Sequence, residues 1–180
     1  MGTVTASFSH EDSDAALPHQ TVASFSSRGP ILDLRIKPDL LCPGEGIASA
    51  RGDGDLASNN CGVSSAITTI SGTSMAAPLC AGAAALVREY FEKGFQESGK
   101  ENASNSTLPS AALVKAVMIH SAQRVKSEAG WEESYPNIQV GYGLVDLSTA
   151  LRFPESNFEA IYQDRLQVSQ GEDYRERTQV

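Results

Sequence analysis

The sequence predicts an α/β fold, with short strands in the first third of the chain followed by two apolar helices. Residues 74 to about 91 are overwhelmingly Ala, Leu, Met and Val, apolar on nearly every face until Arg88 and Glu89, which is the pattern of a buried helix. Residues 2–8 and 22–25 have alternating or continuous apolar character in runs too brief for helices, which is the pattern of strands. With 180 residues, 41% of them hydrophobic, the chain is long enough to bury one core.

The elements come in order. A polar, acidic loop holding His10 and His19 separates the first two strands. Ser26-Ser27-Arg28-Gly29-Pro30 then combines small residues with Gly and Pro, the composition of a tight, irregular turn. Residues 36–50 hold Lys37-Pro38-Asp39 and Cys42-Pro43-Gly44 around short apolar pairs, so short strands and turns are expected. In the helix from residue 74, small side chains such as Ala76, Ala81 and Gly82 allow close backbone approach, and Leu79, Leu86 and Val87 supply volume. Pro78 lies near its start, where a missing N–H does the least damage. Residues 95–107 are rich in Gly, Ser, Asn and charge and read as a surface loop. Pro109 opens a second, mostly buried helix through about Ala122, with Leu113, Val114, Val117, Met118 and Ile119 as its apolar positions. A loop leads to Gly141-Tyr142-Gly143, a short helix is expected over 146–151, and residues 158–168 read as strands before a polar, mixed-charge end.

Charge narrows the functional classes. There are 14 basic against 22 acidic residues, 14 − 22 = −8, and a field of that sign repels nucleic acid and anionic lipid. No apolar run reaches the ~20 residues of a membrane span, and residues 1–20 lack the basic and apolar regions of a secretory signal. Met1-Gly2 suggests myristoylation, but Ala6 stands where that signal requires Ser or Thr. Cys42, Cys61 and Cys80 fit no Cys-x-x-Cys motif, and their odd number leaves at least one unpaired within the chain. Asn102-Ala103-Ser104 and Asn105-Ser106-Thr107 are successive glycosylation acceptor patterns, which favours a secreted or extracellular location.

The sharpest chemical pattern is Ser71-Gly72-Thr73-Ser74-Met75-Ala76-Ala77-Pro78, a Gly-bearing turn that delivers a serine to the first turn of an apolar helix. Backbone N–H groups are unpaired there and the helix dipole is positive, so an oxyanion forming beside Ser74 would be stabilised. Local chemistry also allows a plainer reading, in which Ser71, Thr73 and Ser74 only cap the helix.

The stretch from Gly72 to Pro78, with Ala81-Gly82 after it, resembles the nucleophile motif of the subtilisin-like serine proteases, the subtilases. Val22-Ala23-Ser24-Phe25-Ser26-Ser27-Arg28-Gly29-Pro30 and Ile36-Lys37-Pro38-Asp39-Leu40 with Pro43-Gly44 are similar to family segments, in the family's order. Residues 109–122 resemble the helix after the nucleophile helix, and Gly141-Tyr142-Gly143-Leu144-Val145-Asp146 resembles the closing motif of the catalytic domain. The resemblance covers roughly residues 2–152. It implies a three-layer α/β fold with a mainly parallel sheet, Ser74 as nucleophile with its own N–H as an oxyanion donor, and Gly72 and Thr73 as substrate-binding residues beside the scissile bond. Leu79 and Cys42 depart from the family pattern, which often has His and Ala there; neither position belongs to the triad.

In this family the triad runs Asp, His, Ser along the chain, so the resemblance places the Asp, the His and the oxyanion Asn N-terminal to Met1. None of His10, His19 and His120 has the family's flanking residues; the first two read as solvated loop residues and His120 as a structural residue of the second helix. Rival catalytic patterns fail on spacing. Ala76 breaks Gly-x-Ser-x-Gly, no Ser has Lys three residues on, and no Gly-Lys-Ser/Thr phosphate loop occurs.

These readings define the expectations. Residues 1–152 form the C-terminal half of a subtilase catalytic domain, and 153–180 begin a following β-sandwich domain or a tail. The parent protein is a serine endopeptidase working through an acyl-enzyme on Ser74, with peptide or protein substrates and without cofactor or metal. The isolated chain lacks its partner, the N-terminal half of its own domain, and is expected to be inactive and unstable or aggregation-prone. The alternative is a catalytically inactive subtilase-like binding module.

Overall fold

The computed structural model describes residues 6–7, 21–52, 67–127, 130–131 and 134–165. In chain order the elements are β1 (Ala6–Ser7), β2 (Thr21–Val22), β3 (Ile47–Ala50), β4 (Ile67–Ile70), α1 (Thr73–Glu92), α2 (Ala111–His120), β5 (Lys126–Ser127) and β6 (Gly130–Trp131), with 3₁₀ turns at Ala103–Asn105 and Leu147–Thr149. The α/β class is the expected one. Among the described residues the pairings are mixed: the sheet has the order β1-β2-β5-β6, with β2 and β5 parallel and the outer pairs antiparallel. Leu41 adds a parallel bridge to Leu144, which in turn bridges antiparallel to Gln123. A separate ribbon pairs β3 with β4 in antiparallel register, Ile47 opposite Ile70.

Residues 36–50, expected to hold short strands, form β3 and the Leu41 bridge and are otherwise irregular. The strand expected over 22–25 is only Thr21–Val22, because the chain turns at once, with Ser26 N–H donating to Ala23 C=O at 2.9 Å. The Gly-Tyr-Gly segment explains itself by contact. A Cβ on Gly141 would lie 2.2 Å from Pro38 O and one on Gly143 2.2 Å from Gln123 O, and both glycines have positive φ. Close approach of these backbones lets Tyr142 N–H reach Asp39 O at 2.8 Å and Leu41 N–H reach Gly143 O at 2.8 Å.

Two clusters of buried side chains make the core. The larger joins Val87, Tyr90 and Phe91 of α1 to Leu113, Val117 and Met118 of α2 and to Ala150 and Leu151; the smaller holds Val22, Leu41, Val125, Val140 and Leu144. α2 begins where Pro109 and Ser110 predict. The Ser110 Oγ accepts the Leu113 N–H at 3.1 Å, so one of the free donors of the first turn is satisfied by the cap.

Three expectations are corrected here. α1 is not a buried helix: only Ala76, Val87, Tyr90 and Phe91 are buried, while Leu79 and Leu86 are 43% and 57% exposed. Its apolar faces exceed the surface that the described elements cover. Residues 158–165 are not strands either. They lie as a strap on the larger core, with the Tyr162 ring edge-on to Phe91 and its hydroxyl donating to Ala150 O at 2.6 Å. The remainder of the expected strand, 166–168, is outside the described residues. The helix expected over 146–151 is a 3₁₀ turn with Asp146 as its cap, the carboxylate accepting the Ser148 N–H at 3.1 Å.

Candidate active site

The β3–β4 ribbon returns the chain at Ile70 to a turn that is pinned to residues 44–46. Gly72 N–H donates to Gly44 O at 2.8 Å, and Ser71 Oγ accepts the Gly46 N–H at 2.9 Å. α1 then starts, with Gly72 O accepting from Met75 N–H at 3.0 Å and Ala76 N–H at 3.4 Å. Gly72 is the N-cap, in extended conformation (φ 160°, ψ 161°), and no side chain caps the helix. The plain capping reading of Ser71, Thr73 and Ser74 therefore fails: Ser71 is bonded to the 44–46 segment, and neither Thr73 nor Ser74 acts as a cap.

Ser74, the second residue of α1, is exposed. Its hydroxyl has no hydrogen-bond partner among the described residues, and neither does its N–H. Thr73 beside it is half-buried, as is Gly72. A Cβ built on Gly72 would meet Met75 Sδ at 3.5 Å and Ser74 N at 3.8 Å, ordinary contacts, so nothing within the described chain demands glycine at that position. Among the described residues, an uncommitted hydroxyl and an unpaired N–H thus share the positive end of a 20-residue helix. The arrangement suits a group that develops negative charge beside that serine oxygen.

No basic or acidic side chain among the described residues bonds to Ser74. His120 is exposed at the C-terminal end of α2, whereas His10 and His19 lie outside the described residues. The described residues contain no group of three or more His, Cys, Asp or Glu able to hold a metal ion. No helix among them is long and apolar enough to cross a membrane.

Asp39, three residues before Cys42, is paired through both carboxylate oxygens. Its Oδ2 accepts from Lys37 Nζ, and its Oδ1 lies 3.2 Å from Lys115 Nζ. Burial pushes this carboxyl up, but the hydrogen bonds and charges of Lys37 and Lys115 outweigh it and hold the group below the ordinary carboxylate range.

Sequence reading missed one contact that bears on the site. Cys42 and Cys80 form a disulfide, Cα–Cα 5.7 Å across 38 residues, which ties α1 to the segment that pins the turn. Neither cysteine sits in a paired motif, so the spacing held no signal for it. Cys61 lies outside the described residues.

Comparison with known proteins places the geometry in context. Residues 5–143 match the Subtilase family (Peptidase S8). Over 121 residues the chain is 40% identical to the serine protease/ABC transporter B family protein tagB of Dictyostelium discoideum, covering 64% of this chain and 6% of that protein. It is 41% identical to the serine protease AprX of Bacillus subtilis over 100 residues, 54% of this chain and 23% of that protein. A solved structure, that of the Clostridium perfringens CspB protease, matches at 32% identity over 72% of this chain and 23% of its own, with a TM-score of 0.47. The chain therefore spans a small part of the length of each of these relatives.

Proposed function

The chain belongs to the subtilase family, and from that premise we propose that Ser74 is the nucleophile of a serine endopeptidase. One observation carries the reading: the serine of the family's motif stands exposed at the start of α1, its hydroxyl and its N–H without a hydrogen-bond partner among the described residues. In the proposed reaction Ser74 Oγ attacks the scissile carbonyl carbon while its proton passes to a histidine. The carbonyl oxygen becomes an oxyanion facing the Ser74 N–H. Collapse breaks the C–N bond, the amine takes the proton, and water then releases the acyl group and restores the hydroxyl. The histidine, its aspartate partner and an asparagine donor belong to the same protein outside these 180 residues. Residues 1–152 are then part of the catalytic domain, with 153–180 following it.

Gly72 and Thr73 line the path of the substrate backbone. Support comes from Gly72 itself, since the described chain would accept a Cβ there and the space it leaves open is free for a peptide. Gly72→Ala accordingly leaves the melting temperature of the full natural protein unchanged and lowers peptide hydrolysis. The substrate is a peptide or protein. A secreted location is supported by the Cys42–Cys80 disulfide, a bond favoured in oxidising compartments, and by the exposed Asn102 of the first acceptor pattern.

A fluorophosphonate probe applied to the full natural protein tests the reading. Labelling at Ser74, lost in Ser74→Ala together with peptide hydrolysis, is the expected result. No labelling in a folded full-length protein favours the second reading, a subtilase-like binding module, which the lack of any described base at Ser74 motivates.

A further inference from the structure

We propose that the Cys42–Cys80 disulfide is a redox-dependent tether that positions the nucleophile turn. This rests on the reading of Ser74 given above. Cys80 follows Ser74 by six residues on α1, and Cys42 precedes Gly44 and Gly46, the two residues whose backbones hold Ser71 and Gly72. The covalent link therefore fixes the same two segments that the Gly72 to Gly44 and Gly46 to Ser71 hydrogen bonds join. It also spans the two cores. Cys80 packs against the cluster built on Phe91 and Val87, whereas Cys42 adjoins Leu41 of the cluster built on Val125 and Val140.

Packing duplicates this restraint only in part, through Ala76 and the core-facing side of Cys80, Ala83 and Ala84. Around Cys80 the helix is exposed at Ala77, Pro78, Leu79, Ala81 and Gly82, and the Gly46 to Ser71 bond is itself open to solvent. With the disulfide cut, the turn keeps its two hydrogen bonds to residues 44–46 and the β3–β4 pairing that begins with Ile47 opposite Ile70, and water competes for at least one of the two bonds.

The two sulfurs are unequally accessible. Cys42 is 2% exposed, whereas Cys80, on the core-facing side of the helix, is half-buried, so a reductant reaches Cys80 first. The thiolate of a dithiol attacks Cys80 Sγ and expels Cys42 as a thiolate, which takes a proton. The second thiol of the reagent then displaces Cys80, leaving two protein thiols and a cyclic disulfide. Two electrons and two protons pass from dithiol to protein.

The test uses the full natural protein with and without a small dithiol, with bond cleavage scored by alkylation and mass spectrometry. On reduction, hydrogen exchange at the Gly46 and Gly72 amides accelerates on the order of tenfold or more, while the Phe91 and Val117 amides keep their protection. Fluorophosphonate labelling of Ser74 slows by a similar factor and recovers on reoxidation, with kcat falling and KM unchanged. The double variant Cys42→Ala with Cys80→Val gives the reduced behaviour with or without dithiol, and Cys61→Ser keeps the full response. Unchanged exchange at Gly46 and Gly72 after proven cleavage overturns the proposal, as does alkylation of Cys42 and Cys80 in the untreated protein. If the oxidised protein never labels at Ser74, the peptidase reading fails, and the exchange measurement still decides the tether.

Discussion

The two ends of α1 differ in side chains, small residues toward the start and large aromatic and charged ones toward the end, and they sit in opposite surroundings. Toward the C-terminal end, Val87, Tyr90 and Phe91 are buried, and the Tyr90 ring contacts Phe91, Phe95, Phe153 and Tyr162 at centroid distances of 5.4 to 6.1 Å. Toward the N-terminal end, Ala76 alone is fully buried, Leu79 is largely open, and a Cβ on Gly82 would touch nothing within 4 Å. The C-terminal end is held mainly by packing, the N-terminal end mainly by a disulfide, two hydrogen bonds to residues 44–46 and the β3–β4 ribbon that leads into it. One helix thus serves as an anchor at one end and as a platform for Ser74 at the other.

If that contrast is sound, substitutions at the anchored end cost stability and those at the open face do not. Phe91→Ala should cost the most, about 3–5 kcal/mol in urea unfolding, from lost burial and the cavity left among Leu113, Val117 and Tyr162. A cost under about 1 kcal/mol would show that the anchor is elsewhere. Ser110→Ala removes the cap of the helix on which α1 rests and also the hydroxyl that donates to Asp164 Oδ1, while the backbone N–H of residue 110 keeps its bond to Asp164 Oδ2 at 2.8 Å. The expected loss is about 1–2 kcal/mol, read from the denaturation midpoint.

The tyrosines supply a pH signature of the anchored end. Burial raises Tyr162 well above an ordinary phenol, assisted by neighbouring Tyr90, and burial raises Tyr90 as well. A folded-state value above the unfolded one means that the stabilisation is complete below about pH 10 and declines as pH rises further. Urea midpoints measured from pH 8 to 11 should therefore fall above about pH 10, and Tyr162→Phe should make that fall shallower. The smallest effect belongs to the open face. Leu79→Gln with Leu86→Gln should change stability by less than about 0.5 kcal/mol per site while raising the soluble yield of the 180-residue chain. A large loss there would mean that this face is packed.

Most of the helical framework was legible in the sequence, because its signals are local. Leu113, Val117 and Met118 recur at helical spacing, Pro109 and Ser110 mark the start of α2, and Gly72 with Ser74 marks the start of α1. Burial of α1 was not legible. An apolar composition states what a helix can bury, whereas exposure depends on which elements stand opposite it. Long-range contacts were equally silent: Cys42 and Cys80 are 38 residues apart, Ser110 and Asp164 are 54 apart, and no local pattern links either pair. The strand reading of residues 158–165 failed for a related reason. Tyr162 finds its partners on α1 and at Ala150, so an aromatic suited to a strand is used as a peg on a helix.

Pro78 sits six residues into α1 and has no N–H to give. In an uninterrupted helix that donor would close the ring onto the carbonyl four residues earlier, which is the carbonyl of Ser74. The ladder thus lacks its rung at Ser74 itself. The opening coil is joined to the rest of the rod by one strut fewer than its neighbours, so Ser74 can tilt a little without unzipping the later turns.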